Sequence, residues 1–298
     1  MIARFYIIPE SFSSDNLDNS EFTSSLESFI SDYNNFLDYK EENEIIIQNE
    51  IYNVVFPNGI SLAEFLFTPN PQIQGKELAL KKFLSNVLLK LPHEEIDKDL
   101  IKEQIGSNSL DGCYGIISLS KIDNIANENQ VIYSKDSLID FRRFHLGLFF
   151  SDAEYFIDEC KKYYSKLLFH EKNYKSIAEI LKGFSNKIIF HLNGLNDILP
   201  SLLIKKEFNN HTELLETFTE MASLDEIATL EGKNKDRLGF EFINDEGKSE
   251  EVICEPHMKL SKSDNSDGHY YKNRIYFSFG KENIENSKIL VGHIGEHL

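Results

Sequence analysis

VICEPHMKL (252–260) and NRIYFSF (273–279) decide how the last part of this 298-residue chain folds. Side chains of a strand alternate between its two faces, so residues two apart share a side. In the first run Val252, Cys254, Met258 and Leu260 fall on one side, facing a core, while Glu255, His257 and Lys259 face outward. In the second, Ile275, Phe277 and Phe279 turn inward while Arg274, Tyr276 and Ser278 turn out. RLGFEFI (237–243) and KILVGHIG (288–295) flank these runs, and the DEG at 245–247 is short enough for a hairpin. The pattern predicts a four-stranded antiparallel meander, one face packed on helices and the other open. SKSDNSDGHYYK (261–272) is a long polar connection, expected to be mobile.

Upstream the period changes. Residues 137–150, 152–169 and 176–184 read as helices, followed by SNKIIFHLNGLNDILPSLLI (185–204) and HTELLETFTEMA (211–222). Ile188, Leu192, Leu195 and Leu199 form one apolar stripe, which Pro200 should end or kink. Further back, ARFYII (3–8), EIIIQNEIYNVVF (44–56) and CYGIISL (113–119) are strand-like. Helical spacing lies between them: Phe22 to Leu37, and Leu80 to Leu91 before Pro92. The expected fold class is α+β, with an N-terminal mixed α/β part, a helical middle and a C-terminal four-stranded antiparallel sheet. The expected domains are an acidic α+β domain at 1–125, a helical region at 126–230 and the sheet at 231–298, after the charged stretch EGKNKD (231–236).

Hydrophobic residues make up 41% of the chain, enough for real cores rather than disorder. No apolar run is long enough to span a bilayer, and the first residues make a poor secretory signal. Cys113, Cys160 and Cys254 are far apart in apolar settings, which fits reduced, buried thiols in a cytoplasmic protein without membrane contact. Net charge is −18 and unevenly spread. Residues 1–50 hold eleven acidic residues against Arg4 and Lys40, whereas residues 251–298 are nearly balanced. The tail is therefore where a polyanion meets least repulsion, and the acidic N-terminal region is the expected docking face for a protein partner. There is no phosphate-cradling GxxxxGK[ST] loop, no GxGxxG after a strand and no GxSxG elbow.

If the two runs pair, one face collects an acid, an imidazole, two cations and a phenol. His257 and Glu255 are candidate acid and base, since imidazole titrates near neutrality and a carboxylate can be its partner. Lys259 and Arg274 are the candidate phosphate clamp, Arg with a fork that matches phosphate oxygens. Tyr276 would orient the phosphate or stack on a base. GHIGEHL adds His293 and His297, which the neighbouring glycines would let swing toward this face. Two histidines without a third ligand make no metal site, so no metal or cofactor is expected. The bland alternative is a solvated sheet face with cross-strand ion pairs. The stripe of His191, Asn193, Asn196 and Asp197 reads as an interhelical polar network.

On EPHMKL, NRIYFSF and KILVGHIGEHL the tail resembles the strand core of small metal-independent ribonuclease toxins, the barnase, colicin and RelE-like group. It also looks like the tails of uncharacterised bacterial proteins found beside phage-defence genes. The resemblance covers about sixty residues and is one of pattern, departing from the group in the acidity and length of the preceding chain. It implies RNA as substrate, a toxin or antiviral-defence role, and a sensor or docking role for the first 230 residues. The alternative expectation is a non-catalytic subunit that binds a protein through its acidic N-terminal half and phosphate or nucleic acid through its tail.

Overall fold

ARFYI becomes strand β1 (Ala3–Ile7), the central strand of an all-parallel sheet. The structure, a computed structural model, describes residues 3–298 apart from 13–18, 38–42, 57, 73, 96, 108–112, 123–124, 126–127, 206–207, 233–236 and 261–271. The expected mobile connection at 261–272 falls almost wholly outside the described residues. The chain divides into two units, Met1–His145 and Leu146–Leu298.

In the first unit β1 is followed by α1 (Asn19–Leu37), β2 (Asn43–Gln48), α2 (Leu62–Phe67), α3 (Gly75–Leu88) and β3 (His93–Glu94). Then come α4 (Lys98–Ser107), β4 (Cys113–Ile117), β5 (Val131–Ile132) and α5 (Lys135–Leu148). The strand order is β3-β2-β1-β4-β5. Tyr6, Ile46 and Ile116 pack with Ile101 and Ile105 of α4. Phe5, of opposite parity, meets Phe141 of α5 edge-on at 4.7 Å. Gly115 lies opposite Phe5, and a Cβ there would come within 2.7 Å of that ring, so the missing side chain makes room for it. The stretch expected as one strand at 44–56 stops at Gln48 and turns into a 3-10 helix, Asn49–Asn53.

The second unit holds α6 (Ala153–Tyr163), β6 (Leu167–Phe169), α7 (Asn173–Ser176), α8 (Leu181–Asn193), α9 (Leu199–Lys205) and α10 (His211–Met221). After these come β7 (Thr229–Leu230), β8 (Gly239–Ile243), β9 (Ser249–Ile253), β10 (Pro256–Lys259), β11 (Asn273–Ser278) and β12 (Ile289–Glu296). Ile188, Leu192, Leu195 and Leu199 are fully buried, as their spacing predicts. Between α8 and α9 the helix widens into a π turn at Gly194–Ile198, where the Leu199 N–H bonds to the Gly194 carbonyl. The helix then runs on through Pro200, whose ring would collide with a carbonyl of a regular preceding turn.

The four-stranded antiparallel sheet is corrected. The sheet has five strands in the order β6-β12-β11-β10-β7, and β6 runs parallel to β12. Leu167–Phe169, expected as the end of a helix, supplies that edge strand. EEVICEPHMKL is not one strand but two. The Cys254 N–H still bonds to Leu238 on the hairpin side, while the Glu255 carbonyl already accepts from Glu231 on the sheet side. Pro256, with no N–H to give the hairpin ladder, opens the new strand. Val252 and Cys254 consequently join Phe240, Phe242, Tyr276 and Leu290 in one core. Met258 and Leu260 join Ile275, Phe277 and the helices in another. The β8–β9 hairpin thus covers part of the face expected to be open, and His170 wedges between Phe240 and Phe242.

Candidate functional site

Pairing across the sheet aligns the tail side chains in two rows. Thr229, His257, Tyr276 and His293 lie opposite one another on β7, β10, β11 and β12. Lys259, Arg274 and Gly295 form the next row. Directly paired residues share a face, so the parity read from sequence places His257, Lys259, Arg274 and Tyr276 together. For His293 simple alternation fails. Tyr276 pairs with His293 but Phe277 pairs with Val291, so Gly292 is an extra residue, a β-bulge, that brings His293 round to the Tyr276 face. The Asn173 amide donates to the bulge carbonyls, at 2.9 Å to Val291 and 3.4 Å to Gly292. The glycines of GHIG do not make a sharp turn. They sit within β12, where a Cβ on Gly292 would come within 2.6 Å of Phe240 and one on Gly295 within 2.9 Å of His293 and of the Ser176 carbonyl.

The focus of the cluster is an atom the spacing argument did not single out, Glu231 Oε2. Arg274 Nη1 donates to it at 2.8 Å, and to the Tyr276 hydroxyl oxygen at 3.1 Å. The Tyr276 hydroxyl donates to the same carboxylate oxygen at 3.5 Å. His297 Nε2 stands 3.7 Å and His257 Nδ1 3.9 Å from it. The other ring nitrogen of His257 meets Thr229 Oγ1 at 3.1 Å, a hydroxyl able to accept or donate. Glu255 contributes its backbone: the carbonyl accepts from Glu231 N–H at 3.3 Å and lies 3.4 Å from His257 Nδ1. His293 turns its Nε2 to the Glu296 carbonyl at 2.8 Å and flanks the Tyr276 ring at 6.1 Å. Lys259 lines a neighbouring cleft of about 510 Å³ with Thr229, Glu216 and Glu226.

Burial sets the protonation states. The His257 side chain is 4% exposed, and desolvation, with Arg274 adding to it, pushes its pKa down to about 4. His297 is 44% exposed; burial and the Arg274 charge still hold it below the ordinary imidazole value. His293 is lowered by burial, and the Tyr276 hydroxyl is raised by burial against the pull of Arg274. At neutral pH the site is one guanidinium, one carboxylate, neutral imidazoles and a neutral phenol. It accordingly presents N–H and O–H donors around one anionic oxygen. No protein-family model, curated protein or solved structure matches this chain. Among the described residues no three His, Cys, Asp or Glu side chains come together as a metal site needs. No helix among them is long and apolar enough to cross a membrane.

The other polar candidates are structural. Asn196 accepts from Lys166 N–H at 3.0 Å, Asn193 from Tyr164 at 2.9 Å, and His191 Nδ1 meets the Lys187 carbonyl at 2.7 Å. The expected interhelical network is only partly present: His191 bonds within its own helix, and Asn193 and Asn196 tie the π turn to the segment between α6 and β6. Cys254 is fully buried and its thiol is pushed up to about 12, which fits no nucleophile. Thr229 and Glu231 escaped sequence reasoning because β7 is two residues long and Glu231 opens a charged stretch that reads as linker. The one available signal was TLE at 229–231, an extended tripeptide just before that stretch.

Proposed function

We propose that the C-terminal unit binds an RNA phosphodiester at the Arg274–Tyr276–His257–His297 cluster and cleaves it without metal. The observation that carries this reading is that Arg274, Tyr276, His257 and His297, from three parts of the tail, all stand within 3.9 Å of a single anionic oxygen. Guanidinium, phenol and imidazole N–H groups around one oxygen are the set that holds a phosphate and the charge of its phosphorane. His257 serves as base in the tautomer it takes with substrate bound: Nε2–H then donates to Thr229, and the Nδ1 lone pair takes the 2′-hydroxyl proton. The 2′-oxygen then attacks phosphorus, the bond from phosphorus to the 5′-oxygen breaks, and His297, charged once the anionic phosphate beside it favours the imidazolium, gives its proton to that oxygen. The products are a 2′,3′-cyclic phosphate and a 5′-hydroxyl. Arg274 and Tyr276 hold the non-bridging oxygens. A toxin or antiviral-defence role follows from this chemistry if cellular RNA is the substrate.

A second reading, phosphate binding without cleavage, is favoured by the His257–Thr229 contact together with the Glu231 carboxylate, which keep Nδ1 protonated as a donor. Incubating RNA in EDTA with wild type, His257→Ala and Arg274→Ala separates the two. Cleavage by wild type to cyclic-phosphate ends, lost by about two orders of magnitude or more in both variants, is expected. RNA that wild type binds but leaves whole would move the conclusion to the binding reading.

A further inference from the structure

We infer that Glu231 is a built-in competitor for the ligand: its Oε2 stands where a phosphate oxygen of the substrate sits, and binding requires its displacement. The inference rests on the phosphate-site reading above and concerns how that site is regulated. Three features support it. First, Arg274, Tyr276, His257 and His297 all address the same carboxylate atom, at 2.8, 3.5, 3.9 and 3.7 Å. Second, that atom belongs neither to β10 or β11 nor to the segment after β12, which carry the four groups. It comes from the residue after edge strand β7, tied at its backbone by one bond of 3.3 Å to the Glu255 carbonyl. Third, the imidazole atoms nearest Glu231 lie too close to its oxygen for a tetrahedral phosphate to fit between them while the carboxylate stays. A phosphate bridging Arg274 and the two histidines must take its place.

The exchange is balanced in charge. With the carboxylate in, the Arg274 cation is neutralised, the Tyr276 hydroxyl donates to the carboxylate oxygen and the two imidazoles stand 3.7 and 3.9 Å away. With the carboxylate out, a mostly buried guanidinium, 15% exposed, is left without it and a ligand anion takes the vacated position. The Glu255 carbonyl at 3.4 Å and the Glu231 carboxylate at 3.9 Å both favour the Nδ1–H tautomer of His257, and displacement removes the charged one of the two. Displacement therefore couples ligand entry to the active tautomer.

The test is a calorimetric titration of inorganic phosphate into the full-length chain as wild type, Glu231→Gln, Glu231→Asp, Arg274→Ala and the Glu231→Gln/Arg274→Ala double variant. Glu231→Gln keeps the shape but loses the competing charge, and is expected to bind phosphate about tenfold tighter or more, within the range usual for coupled sites. Glu231→Asp draws the charge back by one methylene and gives a smaller gain, which keeps the test open if the glutamine variant folds poorly. Arg274→Ala abolishes binding in either background. Phosphate binding that depends on Arg274 but is unchanged or weakened by Glu231→Gln overturns the competitor role and leaves the phosphate site standing. Loss of RNA cleavage in Glu231→Gln without tighter phosphate binding overturns it too, making Glu231 the proton acceptor instead. Binding indifferent to Arg274, or absent throughout, removes the phosphate site itself.

Discussion

His257 shows at the residue scale how a side chain read from sequence as exposed gains its chemistry from being covered. Its partners Thr229 and Tyr276 lie on either side in the sheet, and the hairpin core reaches Tyr276, so water cannot stabilise the imidazolium. The sign of the linkage follows. A folded pKa held down to about 4 contributes stability that is full above the ordinary value of 6.5 and is lost as pH falls toward 4. His145 of the first unit, also pushed down to about 4 by burial and the Arg142 charge, adds to the same acid limb. Urea melts at stepped pH should show stability falling across this window, with about 3 kcal/mol of the fall removed in His257→Gln. An unchanged limb in that variant would mean His257 is solvated. Alternation in sequence placed four of these residues on one side. It was silent on Glu231, which reaches the site by a chain path rather than by periodicity.

At the scale of elements, the bulge in β12 is what the site depends on. Were Gly292 paired regularly rather than bulged, His293 would keep the parity of Val291 and enter the helix-side core instead of flanking Tyr276. Gly292 also lets Phe240 and the Cys254 thiol press against the strand, with room for no Cβ at 2.6 and 2.8 Å. Gly292→Ala should destabilise the chain by about 1–3 kcal/mol through overpacking, read as a lowered denaturation midpoint with an unchanged slope. No loss would show that the hairpin does not bear on β12. Helices α1, α3, α5, α8 and α10 and strand β11 were legible because their apolar periods are long and regular, whereas α2 and α4 were not read. The strand break at Pro256, the bulge and the short edge strands β6 and β7 were not. Each is fixed by a partner distant in sequence, and two or three residues carry no period.

For the whole molecule, charge and topology bound what the site can do. In the first unit, β2 and β3 lie to one side of β1, and β4 and β5 to the other, the arrangement whose carboxyl-end crevice often takes a ligand. Here the turn after β1 is tied to the segment that follows β4: the Ser11 carbonyl accepts from Leu119 N–H at 2.9 Å and Ser118 Oγ at 3.3 Å, and the Ile8 N–H bonds to Ser11 Oγ at 3.0 Å. β1, β2 and β4 were legible in sequence, the two-residue strands β3 and β5 were not, and nor was the parallel direction, because strand direction is a property of pairing. The net charge of −18 repels a polyanion everywhere except near local cations. RNA should therefore be held by few phosphates, and Arg274 should dominate. The measurement that tests this most directly is the affinity of the full-length chain for a short single-stranded RNA as a function of salt, in wild type and Arg274→Ala. The account predicts a shallow dependence, a log–log slope of about −0.7 to −1.5 for one or two phosphates, with binding lost in the variant. A steep slope, or affinity that survives Arg274→Ala, would contradict it.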